Sequence, residues 1–171
     1  MAEKTYAVMN GAAPGAAAPV AITTGTSIRT MLQLATNTTT PAIRFVEWWV
    51  EFDGSTAATP IKVELLRHTA TPQTTLTAYV AADIARVNDP NAPVSGVQLG
   101  TALSGFSNTT TDVTPTGTPV SLETHFVPPT SGIYVQFPLG REPEVQVSAF
   151  ARVRVTAGAA VNCLAGVMWA E

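Results

Sequence analysis

Hydrophobic and polar residues alternate with a period of two along much of the chain. Such alternation places successive side chains on opposite faces of an extended strand. The clearest run is Ile43 to Phe52. Strict alternation there puts Phe45, Glu47, Trp49 and Glu51 on one face and Trp48 on the other. Similar runs predict further strands at residues 28–35, 61–68, 76–82, 97–103, 120–126, 133–139, 145–155 and 161–169.

About eight strands, long connections and no convincing helix predict an all-β chain. An antiparallel β-sandwich fits this pattern, and the irregular loop lengths favour a jelly roll over a simple meander. We expect one such domain over residues 28–171. Long loops rich in Thr, Pro and Gly are predicted for residues 69–119. A segment this long inside a compact domain is usually functional or covers another part of it.

Residues 1–27 differ from the rest of the chain: residues 10–19 lack any periodicity, and two short strand-like pieces, 6–9 and 20–23, flank them. Pro14 and Pro19 oppose a helix despite the neighbouring alanines. We predict an extended N-terminal arm over residues 1–27 that orders on a neighbouring subunit or partner; the alternative is a disordered leader. Removing residues 1–24 would then leave the sandwich folded. The arm's apolar residues are its candidate contacts with such a partner: Tyr6, Val8, Met9, Val20 and Ile22.

The composition favours self-association. Only 12% of the 171 residues are charged, while 26 are Thr and 26 are Ala. A soluble monomer of this size usually carries more charge for colloidal stability. Trp49 and Phe150 are both predicted on a face opposite to the valines, and aromatic residues are enriched at interfaces. The candidate residues of an oligomer interface are Trp49, Phe150, Glu47, Glu51 and Arg152.

Charge argues against two classes of partner. The net charge is −3 and no basic run exists. We therefore expect no binding to nucleic acid through its phosphates and no polybasic membrane anchor. No stretch has the pattern of a transmembrane helix or of a signal peptide, so we expect synthesis in the cytoplasm without a leader.

Motifs for catalysis or metal binding are missing from the sequence. Cys163 is the single cysteine and lies in an apolar run, which is typical of a small core residue. One Cys with the distant His68 and His125 does not provide a four-ligand zinc site. Nucleophile-elbow, phosphate-loop and HExxH patterns are also absent from the sequence. We expect no enzyme activity, no cofactor and no metal.

Glu47, Trp49 and Glu51 allow three interpretations. The first is an ordinary sheet surface or subunit interface, with cross-strand pairs to the following strand. The second is sugar binding, because tryptophan rings stack on sugars. The third is glycoside hydrolysis, which uses two carboxyl groups about 5–9.5 Å apart. Residues two apart on one strand can reach such a separation. We favour the first interpretation.

Five segments carry a resemblance to a known family: residues 30–34, 47–54, 60–67, 135–143 and 152–162. They include the sequences EWWVEFDG, VQFPLGREP and RVRVTAGAAVN. In these segments the chain resembles small structural proteins of tailed bacteriophages, in particular the head decoration (cement) proteins. The resemblance spans about residues 28–171 and carries over no catalytic residue.

This resemblance implies a β-rich protein, often trimeric, on the outer surface of a virion. Its partners would be the major capsid protein lattice and other copies of the chain, and its function would be to brace the shell. Two alternatives stay open. One is a tail-fibre or receptor-binding module whose loops at 69–119 contact a host glycan. The other is a glycosidase that uses Glu47 and Glu51.

Overall fold

The computed structural model describes residues 3–11, 22–38, 42–54, 59–69, 75–107, 112 and 119–171. These residues form two antiparallel β-sheets that pack on one apolar core, so the predicted β-sandwich is confirmed. The helical structure within these ranges is a 3₁₀ turn at Ala81–Asp83. The strands are β1 (Thr5–Met9), β2 (Ile22–Thr23), β3 (Ile28–Ala35), β4 (Ile43–Phe52), β5 (Ile61–His68), β6 (Leu76–Ala78), β7 (Ala85–Arg86), β8 (Gly105–Ser107), β9 (Val120–Val127), β10 (Gly132–Gln136), β11 (Glu144–Val145), β12 (Phe150–Thr156) and β13 (Asn162–Ala170).

The strands divide between sheet I and sheet II. Sheet I has the order β10-β4-β13-β1-β7, with β11 also beside β4 and β2 also beside β13. Sheet II has the order β6-β8-β3-β12-β5-β9. Consecutive strands often lie in different sheets, as β3, β4 and β5 do. The jelly-roll arrangement stays a prediction.

The inner faces of the two sheets supply the core. Trp48 and Trp169 from sheet I are fully buried, and Leu65 and Val153 from sheet II are buried with them. Fully burying one large apolar side chain contributes about 1.5–3 kcal/mol relative to leaving it exposed. Cys163 also lies in this core, as predicted, and its burial raises the pKa of the thiol well above the ordinary value.

A β-bulge in β4 breaks the predicted alternation. Phe45 lies opposite Trp169 and Glu47 lies opposite the preceding residue of β13, so Val46 has no partner there. One extra residue shifts the side-chain pattern by one position. Phe45 and Trp48 therefore both face the core. The prediction that they lie on opposite faces was wrong, whereas the shared face of Glu47, Trp49 and Glu51 is retained.

The predicted strand over residues 145–155 is two strands in different sheets. Val145 ends β11 in sheet I, whereas Phe150 begins β12 in sheet II. Between them Ser148 adopts a positive φ of 56°, a conformation that turns the chain. The turn explains why Val147 is 47% exposed although it continues the alternating pattern.

The middle of the chain contains less strand than predicted. Within residues 76–82 only Leu76–Ala78 is a strand, and the 3₁₀ turn follows. Residues 97–103 form no strand; within them Leu99 makes an isolated bridge to Ser104. Proline and glycine are frequent in this part, and both interrupt a hydrogen-bonded ladder. The next strand begins only at Gly105.

Residues 5–9 form an interior strand rather than part of an arm. β1 pairs along its length with β13 and also pairs with β7. Tyr6 and Val8 are each 1% exposed, and the Tyr6 ring stacks on Trp169 at 5.9 Å. Insertion between two strands satisfies the backbone polar groups and buries the apolar face of β1. The prediction of an arm was wrong for these residues, and Tyr6 and Val8 are not available as capsid contacts.

The other residues assigned to the arm have different positions. Met9 ends β1 and is partly exposed. Ile22 lies in β2, pairs with Cys163 and packs partly buried against the core. Val20 lies outside the described residues. Met9 is therefore the arm candidate that the structure places on an outer face.

Candidate binding face

The outer face of sheet I carries Trp49 at its centre. Beyond the bulge, β4 directs Trp48 and Val50 inward and Trp49 outward. Tyr134 of β10 lies directly opposite Trp49 on one side, and Gly166 of β13 lies opposite it on the other. Trp49 is thus the middle residue of a row that crosses three strands.

Gly166 lets the Trp49 ring lie across β13. A Cβ at Gly166 would overlap the Cζ2 and Cε2 carbons of the indole. The six-membered ring therefore covers the glycine at a distance that no larger residue permits. Trp49 remains partly exposed, so its ring is a fixed aromatic surface on the sheet.

Further apolar side chains extend this surface along the sheet. Met168 lies beside Glu47, Leu164 beside Glu51, and Met9 beside Gly166. All three are partly exposed, and Tyr134 is 60% exposed. We define the apolar stripe as Met9, Trp49, Tyr134, Leu164 and Met168.

Carboxylates flank the apolar stripe. The Tyr134 hydroxyl donates a hydrogen bond to Glu47 Oε2. This bond to an acceptor carboxylate raises the pKa of Tyr134, because it favours the protonated phenol. Glu51 is exposed at the far end of the same strand, and open grooves on both of its sides are lined by Tyr134 and by Leu164.

Glu47 and Glu51 are further apart along the strand than the two-residue spacing considered for a glycosidase pair. The two residues are four apart on one strand, with Trp49 between them. At about 3.3 Å per residue, their Cα atoms are about 13 Å apart. Both side chains would have to lean toward each other over Trp49 to bring their carboxyl groups within the roughly 5–9.5 Å of a glycosidase pair.

The outer face of sheet II is partly covered by the protein's own long segment. Gln33 Nε2 donates to the Leu103 carbonyl oxygen at 2.7 Å, and the Asp112 backbone N–H donates to the Ile28 carbonyl oxygen at 3.0 Å. Leu66, on the outer side of β5, is 1% exposed. Part of the predicted loop region 69–119 therefore covers this face.

Arg152 lies inside this covered region. Its side chain is 0% exposed and forms an ion pair with Asp112 at 3.0 Å. Thr30 accepts a further hydrogen bond from Arg152 at 3.2 Å. Burial lowers the pKa of the guanidinium, and the nearby Asp112 opposes this shift. The prediction that Arg152 lies at an oligomer interface was wrong, since its side chain is fully buried within the domain beside Asp112.

Phe150 belongs to the same outer face of sheet II. It is partly buried and stacks on His68 at 5.5 Å. Trp49 and Phe150 therefore lie on opposite outer faces of the sandwich and do not form one patch. Of the oligomer-interface candidates, the structure brings together Glu47, Trp49 and Glu51.

Sequence reasoning missed Tyr134, Leu164 and Met168 as members of this face. The sequence did indicate an outward-facing Tyr134, since this residue alternates with the apolar Ile133 and Val135. Its position opposite Trp49 depends on the pairing of β10 with β4, which the sequence does not show. The role of Gly166 likewise depends on the register of β13.

The described residues show neither a metal cluster nor a membrane helix. Among them, no group of three or more His, Cys, Asp or Glu side chains is placed to hold a metal ion. No helix in the described ranges has the length and apolar character required to span a membrane. No protein-family model, curated protein or solved structure matches this chain.

Proposed function

We propose that the protein is a non-catalytic structural component of a bacteriophage virion. In this proposal it binds the outer surface of the capsid through the outer face of sheet I. The observation that carries the proposal is the difference between the two outer faces. On sheet II, Leu103 and Asp112 pack against β3 and cover that part of the face, whereas the centre of sheet I presents the partly exposed apolar stripe. The resemblance to decoration proteins supplies the identity of the partner, the major capsid protein lattice.

Binding of this kind stabilises a shell by mass action. A protein that binds only the assembled lattice stabilises it by its binding free energy at each site. A homo-oligomer, which we expect to be a trimer, repeats every contact and raises the overall affinity without new chemistry. The low charge of the chain supports such self-association.

Absolute mass and capsid binding test this proposal. Light scattering gives the mass of the protein alone, and a trimer is expected. Co-sedimentation with DNA-filled and empty capsids of the phage that encodes the chain is expected to reach a fixed, saturable ratio. A protein that remains in the supernatant with both kinds of capsid would refute the proposed function.

A receptor-binding module is the second candidate function. Its support is the Trp49 ring, which lies across Gly166 and offers an aromatic surface on which a sugar ring can pack. The predicted glycan contacts at 69–119 are less favoured, because Leu103 and Asp112 pack on sheet II. Saturable binding to a host glycan, with no binding to capsids, would favour this candidate.

A further inference from the structure

The charges around Trp49 are unbalanced. Glu47 and Glu51 flank it on one face of β4, and Asp53 follows the strand. All nine Lys and Arg residues of the chain lie within the described ranges. Lys4, Arg44, Lys62, Arg152 and Arg154 form ion pairs with other carboxylates than these three. Arg44, on the same strand, pairs instead with Glu3 and Glu142.

This combination defines the chemistry of an occupant. The face of an indole attracts cations through its ring quadrupole, and tryptophan is the strongest of the aromatic side chains in this respect. Carboxylates on both sides add Coulomb attraction for the same cation. A neutral sugar could donate hydroxyl hydrogen bonds to these carboxylates, but it would leave their negative charge unbalanced. Charge complementarity therefore favours a cationic occupant over a glycan.

We propose that Glu47, Trp49 and Glu51 bind an arginine side chain presented by a protein partner. The planar guanidinium stacks on an aromatic ring and also donates paired hydrogen bonds to a carboxylate, which the compact lysine ammonium does less well. Glu47 accepts from Tyr134, and a carboxylate has about four acceptor positions, so it can accept a guanidinium as well.

The surrounding residues hold this site ready for its occupant. Gly166 fixes the plane of the Trp49 ring, and Tyr134 holds one oxygen of Glu47. Fixed groups lose little freedom when a partner binds. The inference rests on the proposed binding function of this face and names the chemistry of its partner. One exposed site binds weakly, but several copies of the site in an oligomer would raise the overall affinity for a repeated partner.

A pair of matched peptides tests the inference on the intact protein. The probes are acetyl-Gly-Arg-Gly-amide and the same peptide with neutral citrulline in place of arginine. The signal is the NMR resonance of the Trp49 indole N–H, which Trp49→Phe assigns. We expect saturable shifts with the arginine peptide at roughly millimolar concentration. Citrulline should bind at least about fivefold more weakly, because it lacks the charge.

Variants that replace glutamate by neutral glutamine test whether the carboxylates contribute to peptide binding. Glu47→Gln with Glu51→Gln should lower the affinity for the arginine peptide about fivefold. Glu123→Gln on β9, in the other sheet, is the matched control and should leave the affinity unchanged. Unchanged circular dichroism would show that all variants fold.

Three results would overturn the inference. These are equal shifts with both peptides, no shift with either, or a shift with maltoheptaose but not with the arginine peptide. Capsid binding is measured separately. If capsids still bind the Glu47→Gln, Glu51→Gln protein fully, the arginine site fails while the proposed function stands. If wild-type protein binds the peptide but no capsid, the proposed function fails alone.

Discussion

Gly166 and Trp49 show how one small residue shapes the binding face. The glycine is needed because the indole occupies the space of its missing side chain. An exposed tryptophan on a flat sheet would otherwise be free to change rotamer. Contact with the β13 backbone instead holds the ring in one orientation, which suits a surface that binds a partner.

Gly166→Ala should therefore destabilise the fold and displace the ring. The added Cβ overlaps the indole, and overpacking of this kind costs about 1–3 kcal/mol. Urea unfolding followed by circular dichroism measures the loss. Gly158→Ala is the matched control, because nothing lies within 4 Å of its Cβ. Equal stability of the two variants would contradict the contact between Gly166 and Trp49.

Glu64 should make the stability depend on pH. Burial disfavours its charge, but hydrogen bonds from Lys62 and Arg154 at 2.7 and 2.9 Å outweigh burial and lower the pKa of the carboxyl. A lowered pKa stabilises the fold at neutral pH, and this contribution is lost as the pH falls through the lowered value. Glu64→Gln should cost about 1–3 kcal/mol at pH 7.

Urea unfolding across pH checks the sign of this effect. The difference in the free energy of unfolding between wild type and Glu64→Gln should shrink as the pH falls below 4.5, the ordinary pKa of the Glu64 carboxyl. A difference that stayed constant or grew toward acid pH would show that the carboxylate is not stabilised by its two cationic neighbours.

Removing one partner of the Asp112–Arg152 ion pair should destabilise the fold more than removing both. Asp112→Ala leaves a buried guanidinium without its counter-charge, which costs about 3–5 kcal/mol. The double variant Asp112→Ala, Arg152→Met removes the charge as well and should be more stable than Asp112→Ala alone. Thermal unfolding of both variants tests this. A double variant that is less stable than Asp112→Ala would argue against a buried ion pair.

At the scale of elements, the sequence predicted where strands lie better than it predicted which strands pair with each other. The runs at 28–35, 43–52 and 61–68 match β3, β4 and β5 because each has a long apolar pattern bounded by turn residues. The bulge at Val46 was not predictable, since it arises from the register with β13. Neither was the interior position of β1, because five residues with weak alternation also suit an exposed arm.

Removing β1 should abolish the fold. The expectation from sequence was that a chain without residues 1–24 stays folded. In the structure, deletion of residues 1–11 removes Tyr6 and Val8 from the core and exposes the edge of β13. We expect loss of the cooperative thermal transition, measured by circular dichroism. A truncated protein with an unchanged midpoint would restore the arm hypothesis.

At the scale of the whole molecule, the two outer faces differ. Part of the face of sheet II, at β3, is covered by the segment 69–119. The face of sheet I keeps the apolar stripe and its carboxylates accessible. The sequence predicted that Trp49 points outward. It did not predict that Trp49 and Phe150 lie on opposite outer faces, because that depends on which strands share a sheet.

Capsid binding by Trp49→Ala tests the central claim most directly. The matched control is Phe126→Ala, which removes a 71% exposed aromatic ring from β9 in the other sheet. Both variants should fold, and their saturation of DNA-filled capsids is measured by co-sedimentation. We predict at least about a tenfold weaker affinity for Trp49→Ala, as for a buried interface anchor, and an unchanged affinity for Phe126→Ala. Full affinity of Trp49→Ala would contradict the assignment of sheet I as the binding face.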